Sequence, residues 1–194
     1  MHTFIYTHAH KSYMWMSIHL WLFYFKLSHW LYNLFHVLKQ CFLTHSWSNN
    51  EDGFNNHEVV SRVNNMLKNL GITTWFDGER MRGQVRKTMT DGIDASALIV
   101  VFITRTYIDK VNQGDTVDNC CFEFGYAMDQ KHAKNMIPVV MEKGCRNTRS
   151  WKGIVGGSLA SQLYIDMVDH AKPNMFQSKC DELQKEIINR LQAL

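Results

Sequence analysis

The sequence predicts a doubly wound α/β fold, in which helices cover both faces of a five-stranded, mainly parallel sheet. From residue 40 onward, short apolar segments alternate with segments of helical periodicity, an order typical of parallel sheets with crossover helices. Residues 97–103 are continuously apolar, as expected of a central strand that is covered on both sides. The 194 residues are enough for one such domain with a full core.

The first half of this domain begins with a short apolar segment, residues 41–45, which we interpret as a strand. Asn55 and Glu58 have the spacing of a capping box and predict the start of a helix, which Gly71 then ends. Residues 72–76 are rich in β-branched and aromatic side chains and predict the second strand.

A charged loop between glycines, residues 77–83, follows this strand. The next helix is indicated by three apolar residues at four-residue spacing: Val85, Met89 and Ile93. Residues 97–103 are the third strand. After it we expect a helical turn over residues 104–110 and a polar loop that reaches Asp118.

The last part of the chain predicts two more strands. Residues 136–141 form the fourth, although Pro138 argues against a central position because it has no N–H to donate to a neighbouring strand. Residues 144–161 are expected to be irregular, with Trp151 as a local anchor. Residues 163–165 form the final short strand, and a terminal helix begins after Pro173.

Composition excludes several classes of function. The net charge of +3 is mild and spread along the chain, so we expect no nucleic-acid partner. The five cysteines include no CxxC motif and an adjacent pair, Cys120 and Cys121, which favours a reducing, cytoplasmic location. Cys41 and His45 have a metal-like spacing but no further ligands nearby, so no metal site is expected.

The N-terminal segment, residues 1–39, differs from the rest and is treated as separate from the domain of residues 40–194. It holds six of the ten histidines and three of the six tryptophans, and no Asp or Glu precedes Glu51. Its apolar run is too short for a membrane span, and no signal-peptide cleavage site follows it. Three interpretations stay open: an apolar helix that contacts a membrane, a segment that packs on a partner, or a wrongly assigned start of the coding sequence.

Glu123 is the strongest candidate for chemistry. Its neighbours in residues 119–128 are mostly apolar or weakly polar, and a buried carboxylate requires a partner or a shifted pKa. Such a group beside a cleft is a candidate catalytic residue. Ligands of doubly wound sheets bind beyond the carboxyl ends of the strands, so residues 44–47 and 76–83 are expected to converge near Glu123. Strand alternation allows only one of Trp75 and Phe76 to face this site.

Five segments resemble, in the same order, the conserved boxes of Toll/interleukin-receptor (TIR) domains: residues 42–47 (FLTHSW), 71–77 (GITTWFD), 93–96 (IDAS), 120–127 (CCFEFGYA) and 137–140 (IPVV). The resemblance spans residues 40–194 and implies a flavodoxin-like sheet. It also implies self-association or association with other TIR domains, partly through the loop at 77–83.

Some TIR domains cleave NAD⁺, and in that branch a glutamate on this helix contacts the nicotinamide ribose. The matching residue is Glu123, which the resemblance makes catalytic. The substrate-binding residues that it implies are Thr44, His45, Ser46, Trp47, Phe76, Asp77, Arg80, Met81, Gly83, Asn119 and Cys120. The chain departs from the family pattern at Asn119, where many members have Trp, and at Ser46 and Trp47, where some NAD⁺-cleaving members have Arg.

The resemblance thus implies an NAD⁺ nucleosidase that uses NAD⁺ as substrate, needs no cofactor, and acts in immune or cell-death signalling. Three alternatives stay open. The chain is a non-catalytic TIR scaffold, or a nucleoside deoxyribosyltransferase-like enzyme with a glutamate on a similar sheet. The third alternative is that Glu123 only forms a structural ion pair.

Overall fold

The computed structural model describes residues 39–76, 85–115 and 117–194. Within them one sheet contains five parallel strands in the order β2–β1–β3–β4–β5. The strands are β1 (Lys39–Thr44), β2 (Thr74–Trp75), β3 (Ser96–Ile103), β4 (Met136–Val140) and β5 (Ile165–Asp166). The predicted doubly wound α/β fold is therefore confirmed, and every pairing in this sheet is parallel.

Helices cover both faces of the sheet. In chain order they are α1 (Asn56–Asn69), α2 (Val85–Asp94), α3 (Arg105–Gln113), α4 (Asn119–Lys131), α5 (Gly153–Leu159) and α6 (Pro173–Gln192). One core cluster joins the sheet to α1 and α6, and a second joins the opposite face to α2, α3, α4 and α5. Alternate strand residues enter different clusters, as the two-residue period of a strand requires.

The start of α1 confirms the predicted helix cap. The side chain of Asn55 accepts a hydrogen bond of 3.1 Å from the Glu58 N–H, which satisfies one donor of the first turn. The helix ends at Asn69. Gly71 follows with φ of +84°, a left-handed conformation in which a side chain would be strained.

The region after β3 is more helical than predicted. Instead of one turn over residues 104–110, α3 continues to Gln113. The Thr104 hydroxyl caps it by accepting a 3.1 Å bond from the Tyr107 N–H, and Gly114 ends it in a left-handed conformation. Thr104 and Gly114 are typical residues for the two ends of a helix, so the full length of α3 could have been predicted.

The segment at 144–161 was expected to be irregular, but it contains α5. Trp151 is buried, and its indole N–H donates a 2.8 Å bond to the Cys145 carbonyl, as expected of a local anchor. The last strand is shifted from the predicted residues 163–165 to Ile165–Asp166. Leu163 lies outside it and is 92% exposed.

The prediction from Pro138 was wrong, because β4 lies between β3 and β5. The Met141 N–H donates to Ile103 of β3, whereas the Val140 carbonyl accepts from Met167 beyond β5. Backbone groups of a strand alternate in direction, so the Pro138 nitrogen points toward the β5 side. The pairing of β4 with β5 begins only at Val139. Because Pro138 lies before the paired residues, its missing N–H removes no hydrogen bond to β5.

Two predicted features lie outside the described residues. The apolar N-terminal segment is one, apart from Lys39, which begins β1. The loop that carries Asp77, Arg80, Met81 and Gly83 is the other. In the part of the chain that the structure does describe, no helix is both long and apolar enough to span a bilayer.

Candidate functional site

A cleft of about 290 Å³ opens at the carboxyl edge of the sheet, where β1 and β3 lie side by side. The chain leaves β1 toward α1 on one face and leaves β3 toward α3 on the other, which makes this the switch point of the sheet. Five residues predicted for the site line the cleft: His45, Trp47, Asn119, Cys120 and Glu123.

Glu123 lies in the wall of this cleft and is only 5% exposed. Its Oε2 accepts a 2.6 Å hydrogen bond from the hydroxyl of Thr44, the last residue of β1. The Thr44 oxygen also lies 3.2 Å from the Tyr107 hydroxyl. Since Thr44 donates its proton to the carboxylate, Tyr107 is the donor in the second bond.

This chain of hydrogen bonds ties α4 to β1 and α3. Burial raises the pKa of the Tyr107 phenol well above its ordinary value, so Tyr107 stays protonated and remains a donor. A hydrogen-bonded network of buried groups restrains each of its members. The carboxylate of Glu123 is therefore held in a defined orientation beside the cleft.

Two charged residues that sequence reasoning missed also line the cleft. Lys110 Nζ lies 3.0 Å from Asp118 Oδ2, and Asp118 caps α4 by accepting a 2.8 Å bond from the Cys120 N–H. Burial alone would raise the pKa of Asp118, but the bonds from Lys110 and from backbone N–H groups hold it below its usual value. The bond to Asp118 raises the pKa of Lys110. Both side chains are thus charged at neutral pH.

Aromatic rings form the other wall. Trp47 is 57% exposed and stacks on His57, with ring centroids 3.8 Å apart. His57 Nδ1 lies 2.9 Å from His45 Nε2, and both imidazoles stack on Phe76. The indole of Trp47 is therefore a supported, partly exposed platform at the mouth of the cleft.

Three predicted residues that the structure describes do not line the cleft; one is Thr44, which acts through its bond to Glu123. Phe76 is buried in the core beneath the two histidines, as strand alternation allows, while Trp75 is buried in the opposite core. Ser46 is also buried, and its hydroxyl lies 3.2 Å from the Thr104 hydroxyl and accepts from Asn56. These contacts join the ends of β1 and β3 to α1, so they shape the site from behind.

Cys120 lies in the cleft as a protonated thiol. It is buried and donates to the His45 carbonyl at 3.5 Å. Burial, followed by the nearby charge of Glu123, strongly raises its pKa. Since the thiolate is the nucleophilic form, Cys120 has a packing role and no nucleophilic one.

The missed residues carried different sequence signals. Asp118 directly precedes a helix and is a common type of N-cap residue, so its position could have been found. Lys110 and Tyr107 lie three residues apart on α3 and share a face. Their shared face exists only because residues 105–113 form a full helix, whereas we predicted a single helical turn.

The described residues contain no group of three His, Cys, Asp or Glu side chains that could hold a metal ion. The arrangement is instead a cleft with the buried carboxylate of Glu123, an aromatic platform and an ion pair between Lys110 and Asp118. Such a site suits an organic ligand with a cationic part.

The comparison with protein families agrees with the fold. The family model described as TIR domain matches residues 42–183, which include the second half of β1, all of β2 to β5 and the whole cleft. No curated protein shows significant similarity to the chain. The chain belongs to the TIR domain family.

Proposed function

We propose that this TIR domain is an NAD⁺ nucleosidase, which cleaves the bond between nicotinamide and ribose. The observation that supports the proposal is the position of Glu123. Its carboxylate lies in the wall of the cleft at the switch point of the sheet, and the Thr44 hydroxyl orients it. We place this activity in immune or cell-death signalling, the role that the family suggests.

The chemistry needs only one carboxylate. When the bond between ribose C1′ and the pyridinium nitrogen breaks, its electron pair stays on the nitrogen, and nicotinamide leaves as a neutral molecule. A general acid is therefore unnecessary, unlike in ordinary glycoside hydrolysis. Positive charge develops on the ribose, and the Glu123 carboxylate stabilises it in a largely desolvated site.

Water completes the reaction by forming a bond to C1′ and losing a proton, which Glu123 is placed to accept. The overall reaction consumes NAD⁺ and water and yields nicotinamide, ADP-ribose and one proton. If a nucleophilic atom of the substrate's own adenine replaces water, the product is cyclic. Chromatography of the products separates the two outcomes.

The remaining walls of the cleft fit the rest of the substrate. The exposed indole of Trp47 offers a stacking face to nicotinamide. Asn119, the first residue of α4, supplies amide groups that can bond the ribose hydroxyls. Arg80 and the other residues of the loop at 77–83 lie outside the described residues, and their role in substrate binding stays a prediction.

The test is nicotinamide release from NAD⁺ by purified protein at high concentration, with wild type and Glu123→Gln compared. Glutamine preserves size and the bond from Thr44 but removes the charge. We expect turnover to fall about 100- to 1,000-fold, the usual cost of removing one electrostatic group from a transition state. Circular dichroism should show the same fold.

Glu142→Gln is the matched control. Glu142 is as buried as Glu123, at 3% exposure, and lies at the same edge of the sheet, but it does not line the cleft. Its variant should keep wild-type turnover at temperatures where it is folded. Equal turnover by wild type and Glu123→Gln would refute the proposed activity.

A second candidate is a signalling module without catalysis. TIR domains associate with one another, and the chain belongs to that family. Its described surface includes an apolar groove of about 470 Å³ between α3, α4 and α5, lined in part by Phe122 and by the half-exposed Ile154. Another TIR domain is the partner that this candidate requires. Concentration-dependent assembly that Ile154→Lys disrupts, together with unchanged NAD⁺, would favour it over the enzyme.

A further inference from the structure

The charged side chains that line the cleft differ in how deeply they are buried. Glu123 is almost fully buried, whereas the side chain of Lys110 is 35% exposed. Histidine aside, Lys110 is the one basic side chain among the described residues that line the cleft. The Glu123 carboxylate is therefore more deeply buried than Lys110 and its partner Asp118.

The contact between Lys110 and Asp118 can be exchanged for another. Ion pairs between side chains as exposed as these contribute little to stability. Asp118 also accepts from the Cys120 N–H at the start of α4, so it keeps a partner if Lys110 moves away. Lysine is a flexible point charge with three rotatable donors, which suits it to bind a phosphate.

We infer that Lys110 is the phosphate-recognising residue of the cleft, and that the ligand is a phosphorylated pyridinium nucleoside bound in one orientation. The cationic ring then lies toward Glu123 and the phosphate lies toward Lys110. NAD⁺ carries its charges in this order, with the pyridinium at one end and the pyrophosphate on the far side of the adjoining ribose. The inference rests on the proposed function for the identity of the cationic ring.

The inference predicts how Lys110 acts in turnover. A contact with a phosphate remote from the breaking bond is made equally in the ground state and the transition state. Its loss therefore raises KM and leaves kcat unchanged. Nicotinamide riboside has no phosphate, so its cleavage should not depend on Lys110.

Binding of ADP-ribose tests the inference without catalysis. Titration calorimetry should show that Lys110→Met binds ADP-ribose about tenfold more weakly than wild type, because one charged hydrogen bond is lost. Asp118→Asn keeps an oxygen for the helix cap but releases Lys110, so it should bind more tightly. Adenosine should bind all three proteins equally, and added salt should reduce the differences.

Lys172→Met is the matched control. Lys172 also forms an ion pair, 2.8 Å from Asp169, and its loss changes the net charge equally. It precedes α6 beside the distant edge strand β5, where its side chain makes no helix-capping bond. Its variant should bind ADP-ribose as wild type does.

Two results would overturn the inference: wild type that binds no ADP-ribose, or Lys110→Met that binds it as well as wild type. These results are separate from the proposed function. Binding that depends on Lys110 without NAD⁺ cleavage would support the phosphate site and refute the enzyme. If NAD⁺ cleavage depends on Glu123 but Lys110→Met leaves KM unchanged, the enzyme is supported and the phosphate site is refuted.

Discussion

Two buried glutamates lie at the carboxyl edge of the sheet, and they have different partners. Glu142, which follows β4, accepts from the main-chain N–H groups of Glu51 at 3.1 Å and Arg105 at 2.6 Å. Glu123 on α4 accepts from the side-chain hydroxyl of Thr44 and lines the cleft. Burial by itself therefore does not identify a catalytic carboxylate. The kind of partner and the presence of a ligand-sized space beside the group distinguish the two.

The same substitution of glutamate by glutamine should destabilise the two regions to different extents. In Glu142→Gln the amide cannot accept both backbone N–H groups, so one partly buried donor loses its partner. We expect the free energy of unfolding to fall by about 1–3 kcal/mol. In Glu123→Gln the bond from Thr44 survives, and we expect a smaller loss. Urea denaturation of both variants checks this, and a larger loss for Glu123→Gln would contradict the comparison.

Thr44 tests whether orientation of the Glu123 carboxylate matters. Thr44→Val preserves the shape of the side chain but removes the hydroxyl that donates to Glu123. We expect NAD⁺ turnover to fall about tenfold, the effect of one hydrogen bond to a charged group. Thr44→Ser keeps the hydroxyl and is the control. If Thr44→Val and Thr44→Ser turn over NAD⁺ equally, the hydroxyl has no role in catalysis.

His170 gives the smallest expected effect, and it lies on the Glu142 side of the molecule. Its Nε2 is 3.5 Å from Asn50 Nδ2, and Phe54 packs edge-on against the ring. Burial and then the charge of Arg62 lower its pKa, although Asp52 and Asp169 oppose this. The unfolded chain therefore binds this proton at a higher pH than the folded chain.

The free energy of unfolding should then decrease as the pH falls from about 6.5, the ordinary value for histidine, toward the lower folded value. Above that window the pH should have no effect through this residue. Urea denaturation at pH 7.5 and 5.5 measures the slope, and His170→Gln should reduce it. An unchanged slope in the variant would assign the acid sensitivity to other groups.

Most of the fold could be predicted because its signals are local. The cap at Asn55 and the apolar strand at 97–103 depend on residues close together in sequence. The errors occurred where tertiary contacts override local preference. Pro138 is accepted in an inner strand because β5 is only two residues long and leaves its nitrogen without a paired neighbour.

The site was predicted in part. Glu123 and the residues after β1 were identified from a carboxylate in an apolar segment and from the resemblance to TIR domains. Lys110 and Tyr107 were not, because their roles depend on Asp118 and Thr44, which belong to other parts of the fold. Phe76 and Ser46 were placed in the site, yet both support it from the core.

The sequence by itself determined the order of strands and helices and the opposite burial of Trp75 and Phe76, since these follow from the two-residue period of a strand and from helix caps. Only the tertiary structure joined Thr44 to Tyr107 and Glu123, which lie 63 and 79 residues away along the chain. Such contacts depend on which strands are neighbours and on which face each crossover lies. A local period carries no information about either.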